Sequence, residues 1–223
     1  MKKSIKLAFA AIFAVAALTL PASASASDND PIVFVHGFTA NAAGWDTMKS
    51  RFVADGYDSS DFATVSYGFF ESNTSIANKV KNAVNSILQS SGKTKADVIT
   101  HSMGGLSGRY YVKNLGGGAV VDDFVSIAGP NHGTALAPAC FFLTIQCREM
   151  TPGSSFLNAL NSGDETPGPV RYLTQTSLCD AIVVPAAITT PLDGAQNDVF
   201  ACKEHITMHR DAEVYAGIRD FLD

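Results

Sequence analysis

Short β-branched runs alternate with amphipathic helical stripes through most of this chain, a rhythm that predicts a three-layer α/β sandwich around a mainly parallel sheet. Three observations carry that expectation. Pro31-Ile32-Val33-Phe34-Val35 is continuously apolar, as a strand covered on both faces of a parallel sheet must be. Helical stripes separate such runs at the spacing that crossover connections need. A third run, Asp97 to Thr100, leads through a tight serine-containing turn into a helical stretch, Leu106 to Asn114.

Taken in order, further strands are expected at Ala63 to Tyr67, Asp97 to Thr100, Phe124 to Ala128, Val170 to Leu173 and Asp198 to Ala201. Trp45, Met48, Phe52 and Val53 recur at helical spacing, as do Ile76, Val80, Val84, Ile87 and Leu88. Val214, Ile218, Phe221 and Leu222 place the same stripe on a last helix. These positions read as core. The stretch from Pro130 to Pro169 lacks the strand–helix rhythm apart from Ser154 to Leu160, so it is expected as a surface excursion. No repeat, low-complexity tail or inter-domain linker is apparent.

The first 26 residues read as an export leader: Lys2, Lys3 and Lys6, an apolar stretch from Leu7 to Leu20, then Pro21-Ala22-Ser23-Ala24-Ser25-Ala26. Cleavage is expected after Ala26, with Ala24 as the alternative. Residues 27–223 then form one domain of a secreted, extracellular protein. No later segment has the ~20 continuous apolar residues of a membrane span. Over the whole chain 16 basic residues face 21 acidic ones. Without the three leader lysines the balance is 13 to 21, or −8, which argues against a nucleic-acid surface. Four cysteines in an exported chain imply two disulfides with three possible pairings. Cys140–Cys147 and Cys179–Cys202 are favoured, and neither pair has zinc-site spacing.

Thr100-His101-Ser102-Met103-Gly104 fits the nucleophile elbow of the α/β-hydrolases, in which small residues flank the serine because the strained turn leaves no room for bulk. Thr100 stands where glycine is usual. A serine hydroxyl needs a base, and the base an orienting carboxylate, in the chain order serine, acid, histidine. Of His132, His205 and His209, His205 lies just past the last expected strand and before the last helix; His209 is the fallback. His36 and His101 are expected to make structural hydrogen bonds. Asp180, Asp193 and Asp198 compete as the acid. Asp193 belongs to an Asp-Gly turn and Asp198 opens a strand. Asp180 is favoured, because a Cys179–Cys202 bridge would tie it to the loop of His205. Backbone N–H groups of Met103 and Phe38 are the expected oxyanion donors, with Gly37 letting the chain approach closely.

The sequence resembles the small secreted bacterial triacylglycerol lipases of lipase class 2, related to the minimal lipase-A type of α/β-hydrolase. The likeness spans the chain beyond the leader through PIVFVHGF (31–38), THSMGGL (100–106), YYVKNLGGG (110–118), GPNHGT (129–134), CDAIVVP (179–185), LDGAQN (192–197) and EHIT (204–207). It implies a minimal fold without a cap or lid domain, with Ser102 as nucleophile, Asp180 as acid and His205 as base. Phe38 and Met103 would be the oxyanion donors. It further implies an ester or lipid substrate met at a lipid–water interface, with no cofactor and no metal. A monomer is expected, and a cutinase-like polyester hydrolase of the same fold is the alternative. Thr100 and a longer excursion around Cys140–Cys147 depart from the closest minimal lipases. Phe38, Phe69, Phe70, Ile182, Val183 and Val184 are candidates for an apolar acyl-binding wall.

Overall fold

The computed structural model describes residues 29–222, so the leader expected at 1–26 lies outside the described residues. Six strands, β1 (Ile32–Val35), β2 (Phe62–Val65), β3 (Ala96–His101), β4 (Val121–Ile127), β5 (Arg171–Ser177) and β6 (Gln196–Phe200), form one sheet. Their order is β2-β1-β3-β4-β5-β6 and every neighbouring pair is parallel. Helices α1 (Asp46–Ala54), α2 (Asn73–Ser91), α3 (Gly104–Asn114), α4 (Ile145–Met150), α5 (Ser155–Leu160), α6 (Ala186–Thr189) and α7 (Ala212–Leu222) complete the fold. Among the described residues no helix is long and apolar enough to cross a membrane.

The two-residue period of the strands divides the core into two layers. Val33, Val35 and Val98 pack with Ile76, Val80 and Val84 of α2 and Leu106 of α3. Ile32, Phe34 and Ile99 point the other way, onto Met48 and Phe52 of α1 and Val214 and Ile218 of α7. Because both faces are covered, β1 and β3 are buried along their whole length. That is why they read as unbroken apolar runs.

The less apolar strands depart most from their expected bounds. β5 runs to Ser177, beyond the expected Leu173, because Thr174, Gln175, Thr176 and Ser177 are buried polar residues. Partners hold most of them. The Thr174 hydroxyl donates to Asn197 Oδ1 (2.6 Å), and the Gln175 amide donates to the Val214 carbonyl (3.1 Å). β6 is an edge strand with alternating exposure, and Asp198 sits in its middle rather than at its start.

The excursion from Pro130 onward contains a helix the sequence did not announce. α4 has only six residues and is capped by the Thr144 hydroxyl, which accepts from Gln146 N. Cys147 within it is bridged to Cys140, with Cα atoms 5.6 Å apart, and Cys179 and Cys202 are bridged with Cα atoms 5.0 Å apart. Register brings Val35 opposite Thr100 and His101 opposite Ile127, so β1, β3 and β4 end level with one another. The candidate site lies on that carboxyl rim, where open parallel sheets bind their ligands.

Candidate active site

Ser102 follows β3 directly and adopts φ +53°, in the left-handed region that L-residues avoid at a cost of roughly 1 kcal/mol. Two hydrogen bonds hold it there. Ser102 N donates to Ile127 O (2.8 Å), and Gly105 N donates to Ser102 O (2.9 Å). The turn is so tight that a Cβ on Gly104 would lie 2.5 Å from His36 O and 2.6 Å from Val35 O. Thr100 replaces the usual glycine without conflict because space is made on α3. A Cβ on Gly108 would come within 3.0 Å of the Thr100 methyl, and one on Gly105 within 3.5 Å of its hydroxyl. The hydroxyl itself donates to Val125 O at 2.8 Å.

Three side chains from separate loops converge at the elbow. Ser102 Oγ lies 3.0 Å from His205 Nε2, and His205 Nδ1 lies 2.7 Å from Asp180 Oδ2. All three residues are buried. With the His205 proton on Nδ1, that nitrogen donates to the carboxylate and Nε2 is left to accept from the serine. Burial would raise the Asp180 carboxyl. Its bonds from His205 and from the N–H groups of Val183 (2.9 Å) and Ile182 (2.8 Å) outweigh burial and hold it below the usual carboxylate range. Asp180 therefore stays ionised beside the imidazole.

The loops carrying Asp180 and His205 are joined twice. Cys179 next to Asp180 is bridged to Cys202, three positions before His205. Ser177 adds a pair of bonds to Lys203: its hydroxyl accepts from Lys203 N and donates to Lys203 O, both at 2.7 Å. His101 packs against His205, with ring centroids 5.1 Å apart. Its Nε2 donates to the backbone carbonyl of His205 at 2.9 Å. Burial pushes the His101 imidazole well below its ordinary range, with the nearby His209 and His205 adding to the effect. His209, the alternative base, instead donates from Nε2 to Gly44 O (3.1 Å) and packs edge-on against Trp45. His132 lies in a different network, paired with Glu165 at 2.9 Å. Of the rival acids, Asp193 is bonded through its backbone N to Glu165 and Asp198 to the Gln196 side chain. Neither reaches an imidazole of the triad.

After β1 the chain passes His36 and Gly37 in close contact with the elbow: a Cβ on Gly37 would sit 2.9 Å from Ser102 Cβ. It then turns sharply at Thr39, φ +58°. Tyr67 stacks on His36 with ring centroids 4.0 Å apart and donates its hydroxyl to His36 O. Phe38 is thus carried on a fixed turn beside the serine. The opening beside Ser102 is a cleft of about 440 Å³ whose walls include Phe38, Thr39, Ile182, Ile206 and His209. Of the six apolar residues expected there, Phe38 and Ile182 line it. Val183 is only 1% exposed and faces the core, Phe69 backs Phe38 at 5.3 Å, and Phe70 projects outward. Ile206 is an unforeseen wall residue, placed by its neighbour His205.

Sequence reasoning also missed Thr134. Its hydroxyl donates to Ile182 O (2.7 Å) and accepts from Val184 N (3.1 Å), clasping the acid loop to the excursion. A lone threonine in GPNHGT gave no local signal of that long-range partner. Among the described residues, no group of three or more His, Cys, Asp or Glu side chains gathers into a metal site.

Sheet order, elbow and converging Ser-Asp-His side chains define an α/β-hydrolase with no lid domain among the described residues. The sequence profile of the family Lipase (class 2) matches residues 29–211, and the chain belongs to that family. Solved structures share the fold. Bacillus licheniformis lipase BlEst2 in its mature form superposes with TM-score 0.75 at 15% identity, over 87% of this chain and 92% of that one. Aspergillus fumigatus lipase B gives TM-score 0.72 at 20% identity, over 91% of this chain and 55% of that one. The Listeria innocua lin2722 product gives 0.67 at 16%, over 88% and 94%.

Proposed function

We propose that this protein is a secreted serine carboxylester hydrolase that cleaves acylglycerol esters through an acyl-enzyme. The observation that carries the reading is the unbroken chain from Ser102 Oγ through His205 to the Asp180 carboxylate, at 3.0 and 2.7 Å. Membership of a lipase family supports esters as the substrate class. His205 Nε2 takes the serine proton as Oγ attacks the ester carbonyl, and Asp180 stabilises the imidazolium that forms. The N–H groups of Phe38 and Met103 receive the oxyanion, Met103 from the N-terminal end of α3, where unpaired N–H groups and the helix dipole favour negative charge. His205 then protonates the departing alcohol. Water repeats the cycle and releases the fatty acid.

Export is supported by the leader-like first 26 residues and by two disulfides, which persist in oxidising compartments. We read the enzyme as a monomer that meets its substrate at a lipid–water interface. The open cleft also favours a cutinase-like activity on polyesters as the second reading.

A p-nitrophenyl ester series from short to long acyl chains, run on wild type and Ser102→Ala, tests the proposal. Turnover in the wild type and a loss of roughly 10⁴-fold or more in the variant are expected. Equal rates in both would remove the nucleophile assignment. Soluble product from polyester nanoparticles, present or absent in the same pair, decides the second reading.

A further inference from the structure

Apolar side chains are exposed in an uneven way. Phe142 is 96% exposed, Leu143 66% and Phe70 77%, and they belong to two neighbouring segments. Thr144 Oγ donates to Phe69 O (2.8 Å) and Gln146 donates to Gly68 O (3.0 Å), which fastens the Cys140–Cys147 loop to the Phe69–Phe70 turn. Rings continue inward from there: Phe70 to Phe69 at 5.0 Å, then Phe69 to Phe38 at 5.3 Å, at the mouth of the cleft. The apolar surface is therefore continuous with the site that holds Ser102.

Its electrostatics are as distinctive as its shape. Segments 36–45, 62–70, 129–147 and 181–192 contain no Asp, Glu, Lys or Arg. Charges resume only at their borders, with Asp46, Glu71, Arg148 and Asp193. A surface evolved to meet anionic headgroups carries lysines and arginines, each adding attraction; this one has none and belongs to an acidic chain. Patches of contiguous exposed apolar groups mark interaction sites. The disulfide matters here too. A free loop reading Cys-Phe-Phe-Leu would gain by folding its rings against the body, and a bridge spanning seven positions restricts that collapse.

We propose that the stapled tip Phe141–Leu143, together with Phe69 and Phe70, is the surface by which this protein docks on an uncharged lipid–water interface. Insertion of the tip sets the cleft mouth against the ester-bearing phase. The inference rests on the ester-hydrolase reading for its purpose, but the docking is measurable without turnover.

The test uses the inactive Ser102→Ala protein and its Phe142→Ser/Leu143→Ser derivative, sedimented with triolein droplets, phosphatidylcholine vesicles and phosphatidylglycerol vesicles at low and high salt. Binding of the parent to the two uncharged surfaces, insensitive to salt, is expected. Removing two large apolar side chains should weaken it about 30-fold or more. In the active background the same pair of changes should leave turnover of a dissolved short-chain ester within about twofold, the spread ordinary for exposed substitutions. A second variant, Phe142→Trp, adds a reporter to a chain whose single tryptophan, Trp45, is buried. Its emission should shift to the blue when triolein or phosphatidylcholine is added. Undiminished binding in the double variant overturns the proposal. So does binding confined to phosphatidylglycerol and abolished by salt, or a dimer in solution that the double variant dissolves. Failure of dissolved-ester turnover in the wild type would instead overturn the hydrolase reading and leave the sedimentation result to stand for itself.

Discussion

Two disulfide-closed loops flank the carboxyl rim, and they are opposites in everything except their cross-link. Cys179–Cys202 encloses a buried polar group, the carboxylate of Asp180, and the Ser177–Lys203 bonds and His205 lie just beyond its two ends. Cys140–Cys147 encloses a loop of exposed aromatics that touches no member of the triad. By loop-closure entropy the first bridge contributes about 3.5 kcal/mol and the second about 2.5 kcal/mol. Stability alone would hardly tell them apart. What separates them is what each loop holds, since one carries the carboxylate bonded to His205 and the other carries exposed aromatic side chains.

The largest effect belongs to the polar loop. Asp180→Asn keeps the shape of the side chain but replaces the carboxylate that accepts the hydrogen bond from His205 Nδ1. Turnover of a dissolved ester should drop about 10⁴-fold with little change in Km, measurable by steady-state kinetics. A loss below about tenfold would mean another group orients the base. Next come the bridges themselves. Cys179→Ser/Cys202→Ser should lower kcat on a dissolved ester several-fold, because the hydrogen bonds of Ser177 still join the two loops. Cys140→Ser/Cys147→Ser should leave that rate unchanged, while both pairs lower the melting temperature by comparable amounts. Equal kinetic losses in the two would erase the distinction between the loops.

The smallest effect concerns pH. Burial, helped by Arg210, pushes His209 down to about 4, against about 6.5 in an unfolded chain. Between those values the unfolded chain binds a proton that the native state refuses. The contribution of His209 to stability is complete above about pH 6.5 and is lost as pH falls toward 4. Asp97, whose pKa burial raises well above the usual range, slopes the other way. The informative quantity is therefore the difference between wild type and His209→Gln. Melting curves from pH 7 down to about 4.5 should show the variant losing less stability than the wild type. Parallel curves would mean that His209 is protonated in the native state.

Much of this was legible before any coordinates. Val33, Val35 and Val98 announced strands because both sheet faces are covered, and Ser102, Asp180 and His205 followed from strand ends and chain order. The illegible part has a common cause: it depends on partners distant in sequence. Nothing near Thr174 or Gln175 says that the Thr174 hydroxyl and the Gln175 amide nitrogen will find partners within a buried strand. His101 is expected from the sequence to make a structural hydrogen bond, but nothing local names its partner, the carbonyl of His205, 104 positions away. Tyr67 and Thr134 are silent for the same reason. Val183 misled differently, since its apolar side chain serves the core while its N–H serves Asp180.

The Thr134 clasp divides the molecule's evolvable parts. Thr134 holds the acid loop through Ile182 and Val184, whereas the tip at residues 141–143 is closed by its own bridge. Phe141-Phe142-Leu143 can therefore be rewritten while the residues around Asp180 keep their places. Buried geometry and exposed tip are separately variable parts of one fold.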